Sequence, residues 1–278
     1  MHDVSNRPLI VQGDATLLLE VAHPRYAEAR DALARFAELV KSPEHMHTYR
    51  ITPLSLWNAA SSGLAVDQVV AALQEYSRYP VPPHIAGEIQ SQMSRYGQLT
   101  LQRVEGRLTL RAASAELAEL LTHDKRVTPH LEERLSSTTF LVPDLSRGRL
   151  KLALIHLGWP AEDLAGYTVG APLACALRGR CRSGDPLVLR PYQRGAVESF
   201  HAGGSVRGGS GVIVLPCGAG KTVVGLGVMA EVRTSTLILT TGVTAARQWI
   251  AEILDKTDLT EDQVGEYTGA VKALRRSP

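Results

Sequence analysis

Cysteine is scarce: Cys175, Cys181 and Cys217 are the only three in 278 residues. Their spacing fits neither a disulfide framework nor a tetrahedral zinc set, and they read as buried or incidental thiols in a reducing cytosol. Long apolar runs are missing, so no segment is suited to crossing a bilayer. The opening MHDVSNRPLIVQGD is polar and lacks the apolar core of a secretory signal. The expectation is a cytoplasmic protein. Charge of one sign is missing too: 30 Lys and Arg against 28 Asp and Glu leave a net charge of +2. That balance permits a nucleic-acid partner without demanding one. There is no internal repeat and no long low-complexity tract. What is present is a soluble globular composition, 44% hydrophobic and 21% charged, at a length that allows two domains and a sizeable core.

Residues 8–12 and 15–21 read as short strands broken by Gly13-Asp14. After Pro24, Tyr26, Ala29, Leu33, Phe36 and Val40 fall on one helical face that Pro43 stops. Thr52 is a good N-cap with Pro53 at the first helical position, and Gly63 ends that helix. A second helix carries Val66, Val69, Val70, Leu73 and Tyr76, and a third carries Ile85, Ile89, Met93 and Tyr96. Leu99 and Leu101, then Glu105-Gly106, then Leu108 and Leu110 alternate as a hairpin does. Three helices followed by a two-stranded wing is the order of a winged-helix module, which serves either DNA or protein contact. Arg95 is nearly the only basic residue on the third helix, and both roles stay open.

Residues 113–122 form a further helix, TTFLVP a strand, and the stretch from LSRGRLKLALIHLGW onward a helix and turns. The segment LRGRCRSGDPLVLRPYQRGAVESFHAGGSVRGGS is rich in Arg and Gly and contains the main domain boundary. The expected division is an α+β domain over 1–135, a connecting segment over 136–185 and a nucleotide-binding α/β domain over 186–278.

The stretch SGVIVLPCGAGKTVVGLGVMAEV, residues 210–232, carries the chemistry. Val212, Ile213, Val214 and Leu215 have the pattern of a buried parallel strand. Pro216, Cys217, Gly218, Ala219 and Gly220 make a small-residue loop. The glycines take the backbone angles of a tight turn and let N–H groups approach an anion. Lys221 supplies a point charge for β- and γ-phosphates, and the Thr222 hydroxyl is placed to ligate Mg²⁺. The helix that follows aims its positive end at the same phosphates. These residues predict a site for ATP with Mg²⁺, although Leu215 stands where the full G-x-x-x-x-G-K-[ST] pattern has glycine. Cys217 reads as filler. Leu237–Leu239 and residues 245–254 repeat strand and helix, so the C-terminal part reads βαβα, which implies a parallel sheet.

LRPYQRGAVESF, VIVLPCGAGKT and LILTTGVTAARQW together resemble superfamily 2 helicases of the XPB (xeroderma pigmentosum group B) type. The wording LPCGAGKT is characteristic of that branch and accounts for the missing first glycine. YRITPLSLWNAASSG, YSRYPVPP and RGRLKLALIHLGWPAEDLAGY extend the resemblance across nearly the whole chain. The resemblance implies a RecA-like P-loop fold for the C-terminal part and an ATP-dependent DNA helicase or translocase used in repair or duplex opening. Its partners would be single-stranded or forked DNA and a protein such as a repair nuclease. Arg190 and Gln193 match the glutamine motif, which reads the adenine edge, although Gln193 also reads as an ordinary exposed helix residue. Gly218, Gly220, Lys221 and Thr222 match motif I. Thr240, Thr241, Gln248 and Trp249 match motif Ia along the nucleic-acid backbone, where hydroxyls contact phosphate without reading sequence. Trp249 reads first as core and second as a DNA contact. Glu266, Tyr267, Thr268 and Gly269 match a further strand and turn near DNA more weakly.

Hydrolysis in that family needs an acidic box on a later strand and arginines from a second motor domain. No D-E-x-[HD] follows Lys221. The expectation is an incomplete motor, with hydrolysis absent from these 278 residues. A binding fragment without catalysis and another P-loop ATPase, such as a restriction or remodelling motor, stand beside that reading. The part beyond about residue 205 is expected to be the less stable half, because a parallel sheet cut short exposes apolar faces and an unpaired edge.

Overall fold

The computed structural model describes residues 6–206, 208–215, 218–269 and 271–273. The chain divides into two compact units, Met1–Ala165 and Gly166–Pro278.

In the first unit, β1 (Leu9–Val11) pairs antiparallel with β2 (Thr16–Glu20), Leu9 opposite Leu19. β2 pairs with β4 (Met46–Arg50), and β4 with β3 (Glu38–Lys41), giving the order β1-β2-β4-β3. Alternation puts Leu9, Val11, Leu17 and Leu19 on one buried face. Helices α1 (Tyr26–Leu33), α2 (Pro53–Ser61), α3 (Val66–Tyr76) and α4 (Pro83–Met93) share that core. They enter it through Leu33, Leu56, Val69, Leu73, Ile85 and Ile89. The start of α2 is a reciprocal cap. The Thr52 side chain accepts the Ser55 N–H and the Ser55 hydroxyl accepts the Thr52 N–H, both at 3.0 Å. The Trp57 indole N–H donates to the Gln92 carbonyl at 3.0 Å and ties α2 to α4.

The helical face expected from Tyr26 through Val40 is cut short. α1 ends at Leu33, and residues 38–41 form a strand exposed at every position. Pairing with β4 offers those backbone groups partners that a further helical turn on the surface does not match, so non-local hydrogen bonding overrides the local pattern.

β5 (Leu99–Val104) and β6 (Arg107–Ala112) form the expected hairpin. Glu105 and Gly106 sit at φ 50° and 79°, the two positive values that a two-residue turn requires to match strand twist. β7 (Thr139–Leu141) joins β6, and β8 (Ala161–Asp163) joins β5 in parallel, giving the order β7-β6-β5-β8. α5 (Ala115–His123) and α6 (Arg147–Leu157) cover this sheet through Leu117, Leu121, Leu150 and Leu154. The winged-helix expectation therefore needs correction. The hairpin is the centre of a four-stranded sheet with its own core, separate from the core that holds α2, α3 and α4. A hairpin with strands on both edges is not a free wing. Arg95 follows α4, donates to the Gly158 carbonyl at 3.1 Å and lies 5.1 Å from the Trp159 ring centroid, so its charge is used inside the unit.

The second unit is built on α7 (Pro191–His201), α8 (Lys221–Val232) and α9 (Val243–Lys256), with a small hairpin of β9 (Glu266–Tyr267) and β10 (Lys272–Ala273). α7 and α8 approach closely: a Cβ on Gly227 would lie 2.8 Å from Val197 Cγ2. Cys175, Leu226, Met229, Ile253 and Leu259 make a small core, and burial pushes the Cys175 thiol up, as suits an inert cysteine.

The parallel sheet expected here is not laid down among the described residues, where neither 212–215 nor 237–239 is a strand. Val212 and Val214 are 89% and 86% exposed, and Leu237 and Leu239 81% and 84%. Ile213 and Ile238, between them, are half-buried, and Ile238 packs on the Leu226–Met229 core. A parallel strand that is apolar on both faces is stable only between neighbouring strands and under helices on each side. No helix among the described residues is long and apolar enough to cross a membrane.

Candidate nucleotide-binding site

The site assembles at the start of α8. Gly218 and Gly220 adopt φ 77° and 78°, left-handed angles that glycine takes without the Cβ penalty. Gly220 is the N-cap of α8 and brings no side chain to it, so the first turn has no side-chain cap. Such a helix end presents N–H groups and the positive end of the helix dipole to an anion. Lys221 is the first helical residue and is exposed, and Thr222 beside it is half-buried. Pro216 and Cys217 lie outside the described residues.

α7 supplies the wall behind the loop. Arg190 is its N-cap and Pro191 its first residue. The Arg190 N–H donates to Gln193 Oε1 at 3.0 Å, while Gln193 Nε2 donates to the Ala219 carbonyl at 2.9 Å. The Tyr192 hydroxyl donates to the same carbonyl at 2.8 Å. Gln193 is 5% exposed, so its reading as an ordinary exposed helix residue does not hold. Arg190 is exposed and reaches to 3.4 Å from the Tyr192 hydroxyl. The fold thus brings Arg190, Gln193, Gly218, Ala219, Gly220, Lys221 and Thr222 together. It adds Tyr192, which sequence reasoning passed over although it stands between the two residues singled out. Its phenolic hydroxyl, a donor on a rigid ring, was the available signal.

Thr240, Thr241 and Gln248 gather around the start of α9. The Thr240 hydroxyl donates to the carbonyl of Gly242, the helix N-cap, at 3.1 Å. Thr241 and Gln248 are exposed. Arg247 Nε lies 3.6 Å from Glu266 Oε1. Trp249 is half-buried and packed on the small core, which favours the core reading over the DNA contact. Glu266 and Tyr267 form β9, and the Thr268 N–H donates to the Val271 carbonyl in the hairpin turn. A cavity of about 890 Å³ opens beside these residues, lined among others by Leu237, Leu239, Thr240, Trp249 and Ile253. It lies at the bare apolar segment rather than at the loop.

The donor set at the loop fits a polyphosphate: positive-φ glycines, an uncapped helix start, one cationic side chain and one hydroxyl. Residues 186–275 match the family model described as type III restriction enzyme, res subunit, and residues 9–136 match one described as helicase conserved C-terminal domain. A protein of Kineococcus radiotolerans named DNA 3'-5' helicase XPB is 49% identical over 273 residues, covering 98% of this chain and 47% of that protein. Its namesake in Mycobacterium tuberculosis is 47% identical over 98% of this chain and 48% of its own length. A Schizosaccharomyces pombe protein named general transcription and DNA repair factor IIH helicase/translocase subunit XPB is 26% identical over 96% of this chain and 39% of its own length. The chain spans about half the length of the bacterial relatives it matches, and along 98% of its own length it is homologous to the bacterial XPB-type DNA helicases.

Proposed function

We propose that this chain carries the ATP-binding portion of a DNA helicase or translocase that acts in the cytoplasm in DNA repair or duplex opening. The observation that carries this is the geometry at α8: two left-handed glycines lead into a helix that starts at Lys221 and has no side-chain cap. In this reading residues 186–278 are part of a RecA-like domain, and the accessory α+β domain takes in the sheet β7-β6-β5-β8 and so runs to Ala165 rather than 135, with the shorter stretch after it as the connecting segment.

Gly218 and Gly220 would leave backbone N–H groups open to the phosphates, Lys221 would place its charge against them, and the Thr222 hydroxyl would hold Mg²⁺ together with phosphate oxygens. Bound ATP supplies the phosphoanhydride whose cleavage drives stepping along a strand. Arg190, the exposed N-cap of α7, would approach the ligand from beside Gln193. Thr240, Thr241 and Gln248 offer exposed or half-exposed polar groups at a helix start, suited to DNA phosphates. A protein partner, such as a repair nuclease, belongs to the same proposal.

A second reading has an observation of its own. Val212, Val214, Leu237 and Leu239 are exposed and lie in no strand among the described residues, which favours a chain that binds nucleotide and DNA without turning ATP over. The experiment that separates them is phosphate release from ATP and Mg²⁺ by the 278-residue chain, with and without single-stranded DNA, beside Lys221→Ala. Release that DNA stimulates and Lys221→Ala abolishes establishes the motor reading. Nucleotide binding that depends on Lys221, with no release above the variant, establishes the binding reading. Nucleotide binding indifferent to Lys221 overturns both.

A further inference from the structure

One helical run of the first unit is apolar on two opposite faces. It begins in a 3₁₀ turn, Asp144–Ser146, continues as α6, and ends where Gly158 turns left-handed at φ 85°. The inner face buries Leu150, Ala153 and Leu154 in the core of the β7-β6-β5-β8 sheet. The outer face carries Leu145, 97% exposed, and Leu152, 56% exposed, two turns apart. Between them stand Gly148 and Arg149, and His156 follows one turn beyond Leu152, all three exposed. A helix with one face in water carries polar residues on that face, and here two leucines share it.

Two further features mark the same stripe. Nothing in this chain calls for glycine at 148: its φ is not left-handed, and a Cβ there would meet no atom within 4 Å. Glycine inside a helix costs stability relative to alanine, and what it offers in return is close approach of another surface to the backbone. The second feature is charge. The two carboxylates tied to this helical run are engaged elsewhere: Asp144 with Arg103 at 2.7 Å, Asp163 with Arg147 at 2.8 Å and with Lys151 at 2.9 Å. Arg149 is left without a counterion among the described residues, between two exposed leucines.

We propose that the outer stripe of α6 is a docking surface for an acidic amphipathic helix of a partner protein. Apolar side chains of that helix pack on Leu145 and Leu152, its backbone approaches at Gly148, and a carboxylate on its flank pairs with Arg149. Two other occupants fit the stripe worse. In a two-fold pair of copies, Leu145 of one copy would meet Leu152 of the other, and the two Arg149 side chains would confront each other at the centre of the seam. A nucleic-acid backbone is held by several cations, and here one cation stands between leucines. One helix on one helix is a small contact, so the binding belongs to the weak, reversible class. The surface lies in the first unit and is independent of the nucleotide reading of α8.

The test uses the 278-residue chain and a fluorescein-labelled peptide of about 15 residues, long enough to hold a helix, with leucines two turns apart on one face and glutamates beside them. A second peptide carries lysines in place of the glutamates. By anisotropy at low salt, the acidic peptide is expected to bind, and the basic one about tenfold more weakly. Leu145→Ser and Leu152→Ser, at exposed positions that leave the core intact, are each expected to weaken the acidic peptide about tenfold. Arg149→Glu is expected to weaken the acidic peptide and strengthen the basic one, a reversal that loss of folding does not produce. Gly148→Ala is expected to raise the urea midpoint of the chain while weakening the peptide, and these opposite signs separate docking from a structural role. Equal binding of the two peptides, or affinities unchanged in both leucine variants, overturns the proposal. Sedimentation that finds a dimer dissolved by Leu152→Ser overturns it in favour of a second copy. No peptide binding, with single-stranded DNA affinity lost in Arg149→Glu alone, overturns it in favour of nucleic acid. None of these outcomes bears on ATP binding through Lys221.

Discussion

Gly225 of α8 lies against the edge of the Trp249 indole of α9: a Cβ built on Gly225 would stand 2.7 Å from Trp249 Cη2. Two helices meet there at a distance that only a missing side chain permits. Gly225→Ala would gain about 1 kcal/mol of helix propensity. It would also force a rigid aromatic ring to move, and overpacking of this kind costs about 1–3 kcal/mol. The second effect wins, so Gly225→Ala is expected to lower the urea midpoint of this unit. Trp249→Phe, which removes the outer ring carbon, is expected to recover part of the loss when combined with it. A Gly225→Ala chain more stable than the parent would show that the indole yields at no cost.

In the first unit, Asp163 joins β8 to α6. It accepts from Arg147 Nη2 at 2.8 Å and from Lys151 Nζ at 2.9 Å, with its side chain 11% exposed. Burial works against its charge, and the Arg147 and Lys151 hydrogen bonds outweigh that and hold the carboxyl below its ordinary value of 3.8. A folded pKa below the unfolded one means stability that is complete above the ordinary value and is lost as pH falls through the depressed one. Asp163→Asn should therefore cost about 2–4 kcal/mol at pH 7, where it leaves two partly buried cations without their counterion. The difference should shrink once the pH drops below 3.8, the ordinary carboxyl value. Denaturant midpoints of parent and variant at neutral and acidic pH measure this, and a gap that persists unchanged in acid would assign the loss to packing instead.

What the sequence disclosed was what local chemistry decides. The Thr52 cap, the Glu105-Gly106 turn and the Gly218–Gly220 loop are each specified within a few residues, and each is where the spacing puts it. β3 was not legible, because Leu39 and Val40 are exposed and its place is decided by pairing with β4. β8 is three residues long and is held by parallel pairing to β5, with Ala161 opposite Leu99 far earlier in the chain. The failed expectations run the same way. Val212–Leu215 has the residues of a parallel strand, and a strand forms only where other strands flank it. Tyr192 illustrates the limit at the site: its residue type was visible, and its role depends on a carbonyl 27 positions away.

If the start of α9 meets DNA phosphates, substitutions there should weaken binding without changing sequence preference. Thr241 and Gln248 are exposed, so Thr241→Val and Gln248→Ala should leave the fold intact. Each is expected to reduce affinity for single-stranded DNA about threefold to tenfold, equally on unrelated sequences, since one phosphate contact is lost. Fluorescence anisotropy on two oligonucleotides of different sequence tests this. A loss confined to one of them would mean base contact, and no loss on either would move the DNA path elsewhere.

The bare apolar residues of the second unit set where the chain yields first. Val212, Val214, Leu237 and Leu239 are each more than 80% exposed, and the segments that carry them lack strand partners among the described residues. The first unit instead closes two sheets over two cores. Local opening is easiest where few apolar contacts and few backbone hydrogen bonds must break. Limited proteolysis should therefore cut within 205–215 and 234–242 before any site in the first unit, leaving a resistant fragment that ends near residue 165. ATP with Mg²⁺ should slow the cut near 212 more than the cut near 237, because a ligand bound at the α8 loop stabilises the conformation that holds it. Early cleavage in the first unit, with the second surviving, would reverse the assignment. Protection by ATP at neither site would separate the loop from nucleotide binding altogether.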